Sequence, residues 1–525
     1  MLQIVSYLSH SGNRIMAHDP IHQAYVSAWA YESQLCSDAS RQKELGYTAD
    51  AQAALETVTR GVELATQSAT ARTLCLLLIA SACTSAAFPQ SAAAPKPPTG
   101  VCLADTFPGT DGGAKVAAAL ASPNCFIVDA TRLVGAQKAS ASIVLGPKQQ
   151  LLLGPSEWNL SGSPNIDMQG RGASILGSST GQTRLINNTS SGSSILVGNI
   201  LQEVGKLDLE VAATITRTGG AGLEFGDRSN TNVHDLIINV GSYGIWLRNK
   251  SNGKFNNIDF GFAAINPRNE RAWIQGGPFR TCCIASSQFS NITGNGGQTP
   301  PEVAGIVLDA GLDTWEFQNV DFGHIVGTNF TSLVMKDSLN VGLPPEWIRF
   351  SNTSFEGSGT GAAINISAAR SVVFTNVSTG VSADHSVIID GPEVDGVTFN
   401  AGFILYGNKE AIYIPGSAGS PKTLNFSNLQ IADGSLGFPG KYCNMYVGPN
   451  VSDVKIIGNS FSPVSKAKTS QQCSLKIAKG VGDHIKVIGN VFTQGGPQAF
   501  INESSGSDIV VSDNSGVGLP ARHDK

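Results

Sequence analysis

The run Phe255-Asn-Asn257-Ile-Asp-Phe260 sets a phrase that returns along the chain. It comes back as Phe289-Ser-Asn291-Ile-Thr, Phe317-Gln-Asn319-Val-Asp-Phe322, Phe350-Ser-Asn352-Thr-Ser-Phe355, Phe374-Thr-Asn376-Val-Ser and Phe426-Ser-Asn428-Leu-Gln-Ile431. Ile456-Ile-Gly-Asn459-Ser-Phe461 and Val487-Ile-Gly-Asn490-Val-Phe492 keep the outline. The leading positions lie 34, 28, 33 and 24 residues apart, then 52 with a weaker copy at Val397-Thr-Phe399 between them, then 30 and 31. Short β-rich phrases at this period, separated by Gly, Ser, Asn and Thr, indicate a solenoid with one coil per repeat. No apolar period of 3.6 runs through them, which excludes helical repeats.

Stacked positions in such a coil lie about 4.8 Å apart, and parallel strands joined by crossovers wind right-handed. In the phrase an inward aromatic closes one strand, Asn makes the bend and an inward Ile, Val or Leu opens the next. Asn suits the bend because it tolerates the left-handed backbone region and hydrogen-bonds its stacked neighbours. The fold class read from this is all-β, a right-handed parallel β-helix.

The sequence resembles the pectate-lyase-like superfamily of right-handed parallel β-helices, which includes pectate lyases, polygalacturonases and phage tailspike glycosidases. The resemblance covers roughly residues 99–515 and rests on the Asn phrases, on strands such as Gly244-Ile-Trp-Leu247 and Gly305-Ile-Val-Leu308, and on the opening segment Asp105-Thr-Phe-Pro-Gly-Thr-Asp-Gly-Gly-Ala114. It implies a fold and not one activity, because this fold carries lyases, hydrolases, epimerases and adhesins.

The ends differ from this middle. Residues 1–71 are read as a helical extension, Ala- and Glu-rich with loose helical periodicity from Ile21 to Gln67 and with none of the repeat. Arg72 then precedes Thr73-Leu-Cys-Leu-Leu-Leu-Ile-Ala-Ser-Ala82, a signal-peptide pattern too short for a comfortable membrane span, with Ser85-Ala86-Ala87 as cleavage site. A signal at residues 73–87 implies a translation start downstream of the first Met; a signal anchor and a run buried in a helical domain are the alternatives. Residues 72–98 are thus read as signal and Pro/Ala linker, 99–515 as the β-helix with its cap, and 516–525 as a tail. Secretion or surface display is the expected location.

Asp111 caps an expected short helix from about Gly113 to Leu120 that covers the open first coil, and Cys102 and Cys125 flank it as an expected disulfide. Cys443 and Cys473 are 30 residues apart, one coil, and stacked Cα atoms lie within disulfide range. Cys282 and Cys283 are strand neighbours facing opposite sides. No Cys or His spacing suits zinc. The twelve Asn-x-Ser/Thr sequons after the signal follow from an Asn-, Ser- and Thr-rich repeat. A net charge of −5, 14% charged residues and no basic stripe exclude a nucleic-acid partner.

In the resembled superfamily substrate lies along one sheet, whose strands here are read as Gly222-Leu-Glu-Phe225, Gly244-Ile-Trp-Leu247, Cys282-Cys-Ile-Ala285, Gly305-Ile-Val-Leu308, Ser332-Leu-Val-Met335 and Ala363-Ile-Asn-Ile366. Alternation sends Glu224, Trp246, Val307 and Asn365 outward, and a loop over 261–281 brings Arg268, Glu270, Arg271 and Trp273. Four tryptophans, Trp246, Trp273, Trp315 and Trp347, fall within about four coils. Trp stacks on sugar faces, while Arg and carboxylates bind hydroxyls or uronates. Trp246, Arg248, Arg271, Trp273, Trp315 and Trp347 are therefore the expected polysaccharide contacts, against the alternative that each Trp packs under a loop.

Glycoside hydrolysis needs two carboxylates, roughly 5 Å apart for retention or roughly 6.5–9.5 Å for inversion. Asp259 and Asp321 share a slot of the repeat two coils apart, about 9.6 Å, but on the third strand. Asp309, Asp313 and Glu270 lie nearer the tryptophans and are the expected catalytic carboxylates. Polygalacturonases carry Asn-Thr-Asp, Asp-Asp, Gly-His-Gly and Arg-x-Lys motifs, whereas this chain has Gly323-His324-Ile325 and no Asp-Asp. A lyase of the fold implies a Ca2+ cluster of acidic residues, and none stands out, so no cofactor is expected unless the chain is a lyase. The expectation is an exported β-helix that binds and cleaves a polysaccharide as hydrolase or uronate lyase, with a non-catalytic surface adhesin as the alternative. Tailspike-like relatives imply a homotrimer, but the sequence itself gives no interface.

Overall fold

The computed structural model describes residues 100–516 except 227–229, 240–241, 249–251, 262–271, 281–283, 296–297, 300–303, 324–325, 328–329, 359–360, 383, 465–470, 494–498 and 505–507. All of these lie in the unit Pro97–Lys525. The helical extension, the signal-like run, the tail beyond Gly516, Arg268, Glu270, Arg271, Cys282, Cys283 and His324 lie outside the described residues.

Helix α1 (Gly112–Leu120) closes the first coil. The Asp111 carboxylate accepts from Ala114 N at 2.7 Å, and Val116, Ala119 and Leu120 turn inward. Beyond α1 the chain winds as a parallel β-helix with three strands per coil, each pairing in parallel with its counterpart one coil away. The disulfides join Cys102 to Cys125 and Cys443 to Cys473, the second with Cα atoms 4.4 Å apart, as one-coil stacking requires.

The repeated phrase spans the second and third strands. Its leading Phe side chains, 255, 289, 317, 350, 374, 399 and 426, form one buried column with ring centroids 4.3–5.5 Å apart. The bend residues Asn257, Asn291, Asn319, Asn352, Asn376 and Asn428 all have φ between 53° and 56°. Their amides hydrogen-bond from coil to coil: Asn291 to Asn256 at 2.9 Å, Asn319 to Asn291 at 3.0 Å, Asn352 to Asn319 at 3.4 Å and Asn376 to Asn352 at 2.9 Å. In the last coils the ladder changes place. Gly458 and Gly489 take the left-handed backbone at φ 66°, and Asn459 and Asn490, one residue on, are buried. There they satisfy neighbouring coils, Asn459 Nδ2 donating to Phe426 O and Asn490 Nδ2 to Ile456 O. A left-handed bend favours Asn and Gly, although Lys206, Asp235 and Ala401 also hold it in other coils, and where Gly supplies it the Asn is free to serve the interior.

The first sheet departs from expectation at one coil. Ala272–Gly276, and not the segment around Cys282, lies between Tyr243–Leu247 and Ala304–Leu308. Ile284–Ala285 pairs instead with Leu312–Asp313 in a separate short ladder. Trp273 therefore sits on a strand and not in a wall loop.

Trp273 and Trp315, expected to face substrate, are core residues, 4% and 0% exposed. Each fills a hole left by a glycine. Gly294 stands between Phe260 and Phe322 in an inward aromatic row, and the Trp273 indole enters that gap, its centroid 5.9 Å from Phe260 and 4.9 Å from Phe322. Gly276 stands between Leu247 and Leu308, and a Cβ there would lie 2.7 Å from Trp315 Cη2. Neither indole can meet a ligand in this packing.

Candidate functional site

The outer face of the first sheet carries one side chain per coil in a continuous row: Glu224, Trp246, Gln275, Val307, Val334, Asn365, Ile388, Tyr413, Tyr446 and Lys476. The two ends of this row differ in chemistry.

At the Trp246 end, expected contacts do come together. The half-buried Trp246 ring lies 4.6 Å from Tyr243, and the Arg248 guanidinium sits 4.6 Å above it. Arg248 Nη1 in turn bonds Glu224 Oε1 at 2.6 Å, and Ser193 Oγ donates to Glu224 Oε2. The guanidinium is thereby committed to a carboxylate and a ring face at once.

Trp347 is 58% exposed, on the connection between first and second strands, and its backbone N–H donates to Arg370 O at 3.1 Å. Asp309, expected as a catalytic carboxylate, is 2% exposed and fully engaged by its loop. Oδ1 accepts from Ala310 N and Ser338 N and Oδ2 from Ser338 Oγ, each at 2.8 Å, with Lys336 Nζ 3.8 Å away. It is a turn-fixing group. Asp313 accepts from Thr314 Oγ1 at 2.7 Å and stacks beside Glu346, which faces Arg370 Nη1 at 3.5 Å. Asp259 and Asp321 hold the register read from the repeat, with Thr293 between them, but on the third sheet.

At the other end lies a cluster the sequence did not bring forward. Asp384 and His385 precede Val387–Leu405, and Lys409 and Glu410 stand one coil on, just before Ile412–Ile414. Asp384 Oδ2 lies 2.9 Å from His385 Nδ1, and its Oδ1 lies 2.6 Å from Lys409 Nζ. On the far side of the ring Glu410 Oε2 is 3.0 Å from His385 Nε2. His385 and Glu410 are both 5% exposed, so the imidazole is clasped by two carboxylates away from bulk water. Its face stacks on Tyr413, centroids 4.3 Å apart and planes 13° from parallel, and Tyr413 stacks in turn on Tyr446 at 5.6 Å.

Burial, then the neighbouring Glu410 charge, raises the Tyr413 pKa above the usual phenol value, which keeps it a protonated O–H donor. The hydrogen bond to Asp384 raises that of Lys409 and holds it cationic. The available signal was spacing alone: Asp384-His385 and Lys409-Glu410 are 25 residues apart, the interval that pairs Val387 with Ile412.

The fold is a parallel β-helix with an aromatic and ionisable outer face on its first sheet. No family model and no curated protein matches the chain. Among solved structures it is similar to the A-module of the Azotobacter vinelandii mannuronan C-5 epimerase AlgE6, at 13% identity and TM-score 0.48 over 71% of this chain and 91% of that one. The catalytic unit of a GH87 α-1,3-glucanase from Streptomyces thermodiastaticus is similar at 10% identity and TM-score 0.41, over 83% and 72% of the two chains. The surface protein and adhesin PfbA of Streptococcus pneumoniae is similar at 10% identity and TM-score 0.32, over 80% and 98%.

Proposed function

We propose that the chain is an exported β-helix that binds a polysaccharide along the outer face of its first sheet and cleaves it by proton transfer at the His385–Tyr413 cluster. The observation that carries this is the stack of Tyr446, Tyr413 and His385, with both imidazole nitrogens against carboxylates. Tyrosine rings in a row offer apolar faces to sugars, and clustered ionisable groups with shifted titration mark reactive sites. Tyr413, held protonated, donates its proton to the glycosidic oxygen as the C–O bond breaks; in hydrolysis water bonds to the anomeric carbon and the proton it releases restores the phenol, and in β-elimination the proton leaving C5 does so. Clasped between Asp384 and Glu410, His385 fixes the Tyr413 ring by stacking on its face. Export is supported by two disulfides and by the signal-like run at 73–87.

The adhesin reading has its own support: the carboxylates nearest Trp246 and Trp347 are paired with arginines, Glu224 with Arg248, Glu316 with Arg349 and Glu346 with Arg370. The protein is to be given neutral and acidic polysaccharides while reducing ends and the ultraviolet absorbance of unsaturated uronates are followed. Reducing ends alone mean hydrolysis, and both signals together mean β-elimination. Tyr413→Phe is expected to lower the rate roughly 10²- to 10⁴-fold with binding retained. Binding without products from the wild type would replace the enzyme by the adhesin.

A further inference from the structure

The outer face of the third sheet holds a cleft unconnected with the row that bears Tyr413. Its volume is about 410 Å³, within the range of small-ligand sites. Its lining includes Thr180, Ile237, Asp259, Thr293, Asn291 and Asn319. The wall carrying Thr180 is built in: Gly181 N donates to both carboxylate oxygens of Asp208 at 3.0 Å, and Asp208 is 5% exposed. The floor is the third sheet itself, where Asp208, Ile237, Asp259 and Thr293 are successive outward neighbours.

Along one side runs the asparagine ladder. Asn291 and Asn319 each donate one N–H to the coil before and accept one from the coil after. A carboxamide has two N–H groups and two lone pairs, so each retains one donor and one acceptor outside the ladder. Asp259 takes one bond, from Thr293 Oγ1 at 2.9 Å, and has acceptor capacity left. The ladder repeats at the coil rise of about 4.8 Å, so its spare groups recur at even steps along the axis. Among the described residues the lining holds no lysine or arginine and Asp259 is its one carboxylate, which selects against both anions and multivalent cations.

We propose that this cleft is a second carbohydrate site that takes a neutral sugar unit, with Asp259, Asn291 and Asn319 bonding hydroxyls and Ile237 packing against the ring. The site is independent of the catalytic reading, since none of its residues belongs to the His385–Tyr413 cluster. It anchors a glycan chain on a face the cleavage site does not reach.

The test is calorimetric titration of the whole protein with cellohexaose, with hexagalacturonate as the charged counterpart, in the wild type, Ile237→Trp, Thr293→Val with Asp259→Asn, and Tyr413→Phe. Ile237→Trp fills the cleft, and the double variant removes the Thr293 hydroxyl and the Asp259 charge without adding bulk. Each is expected to weaken cellohexaose binding at least about tenfold, on the order of the 1.4 kcal/mol that one lost hydroxyl contact represents. Tyr413→Phe is expected to leave that binding unchanged. The proposal is overturned if cellohexaose does not bind, if both cleft changes leave its affinity intact, or if only Tyr413→Phe weakens it. Retained cellohexaose binding with no cleavage of any polysaccharide would remove the catalytic reading alone.

Discussion

Exchanging Trp273 and Gly294 tests why a tryptophan from the first sheet lies in the core. Trp273→Ala removes an indole that is 4% exposed and touches Phe260, Phe322 and Phe330, so the cost is that of a large core truncation, about 3–5 kcal/mol. Gly294→Phe alone is also destabilising, because its Cβ would lie 2.6 Å from Cη2 and 2.7 Å from Cε3 of the indole, and overpacking of this kind costs about 1–3 kcal/mol. Together the changes put a phenyl ring midway between Phe260 and Phe322, the place the row has for one. The double variant is then expected to be more stable than Trp273→Ala alone. Its departure from additivity should reach the upper part of the roughly 0.5–3 kcal/mol seen for residues in contact. A solenoid need not unfold in one step, so the measurement is amide hydrogen exchange on the coils flanking 294, supported by urea unfolding followed by circular dichroism. Additive losses would refute the idea that the indole occupies the glycine's vacancy.

The bend and a carboxyl pair give two further expectations. At Asn319, with φ 54°, Asn319→Ala loses ladder bonds to Asn291 and Asn352 and strains the left-handed backbone, for about 1–3 kcal/mol, whereas Asn319→Gly loses only the bonds and should cost visibly less in thermal unfolding. Equal losses would mean that the backbone conformation matters little. Burial, and next the charge and hydrogen bond of Asp337, raise the Glu393 pKa above 4.5, with Arg370 opposing. The folded state then holds more protons than the unfolded one between 4.5 and the raised value. Its contribution to stability is present below that window and is lost as pH rises through it. Glu393→Gln should flatten this slope in urea midpoints taken across the window, and an unchanged slope would assign it elsewhere.

Much of the architecture was legible because its determinants are local and repeated. A left-handed bend favours few residue types, so Asn marked six of the coils, and an inward Phe beside it marked the column; coils with Lys206, Asp235 or Ala401 at the bend gave no such mark. The Cys443–Cys473 link followed from the same period. The first sheet was harder to register because connections of unequal length precede its strands, and the strand beginning at Ala272 was displaced to the segment around Cys282. The tryptophans misled for a physical reason: an indole looks the same in a sequence whether it meets sugar or fills a hole. The discriminating signal was the missing partner, since the phrase at Phe289 has Gly294 where its relatives carry Phe260 and Phe322. Trp246 and Trp347 sit in coils without such a vacancy and do reach the surface.

The remaining pair of ends decides where chemistry belongs on the outer row. Between Trp246 and Tyr413 the row holds Gln275, Val307, Val334, Asn365 and Ile388, none of them ionisable, over six steps of about 4.8 Å, or about 29 Å. Charge is therefore concentrated at the two ends and cannot be shared across the middle. At the Trp246 end Glu224 meets Arg248, whose guanidinium also lies over the Trp246 ring, an arrangement that fixes all three side chains. At the Tyr413 end the partners are an imidazole, an ammonium and a phenol, the last two held protonated by Asp384 and by burial. An arginine pair fixes a carboxylate in place, whereas an imidazole between two carboxylates beside a stacked phenol joins groups that can hand protons on, and the two arrangements stand apart along one face.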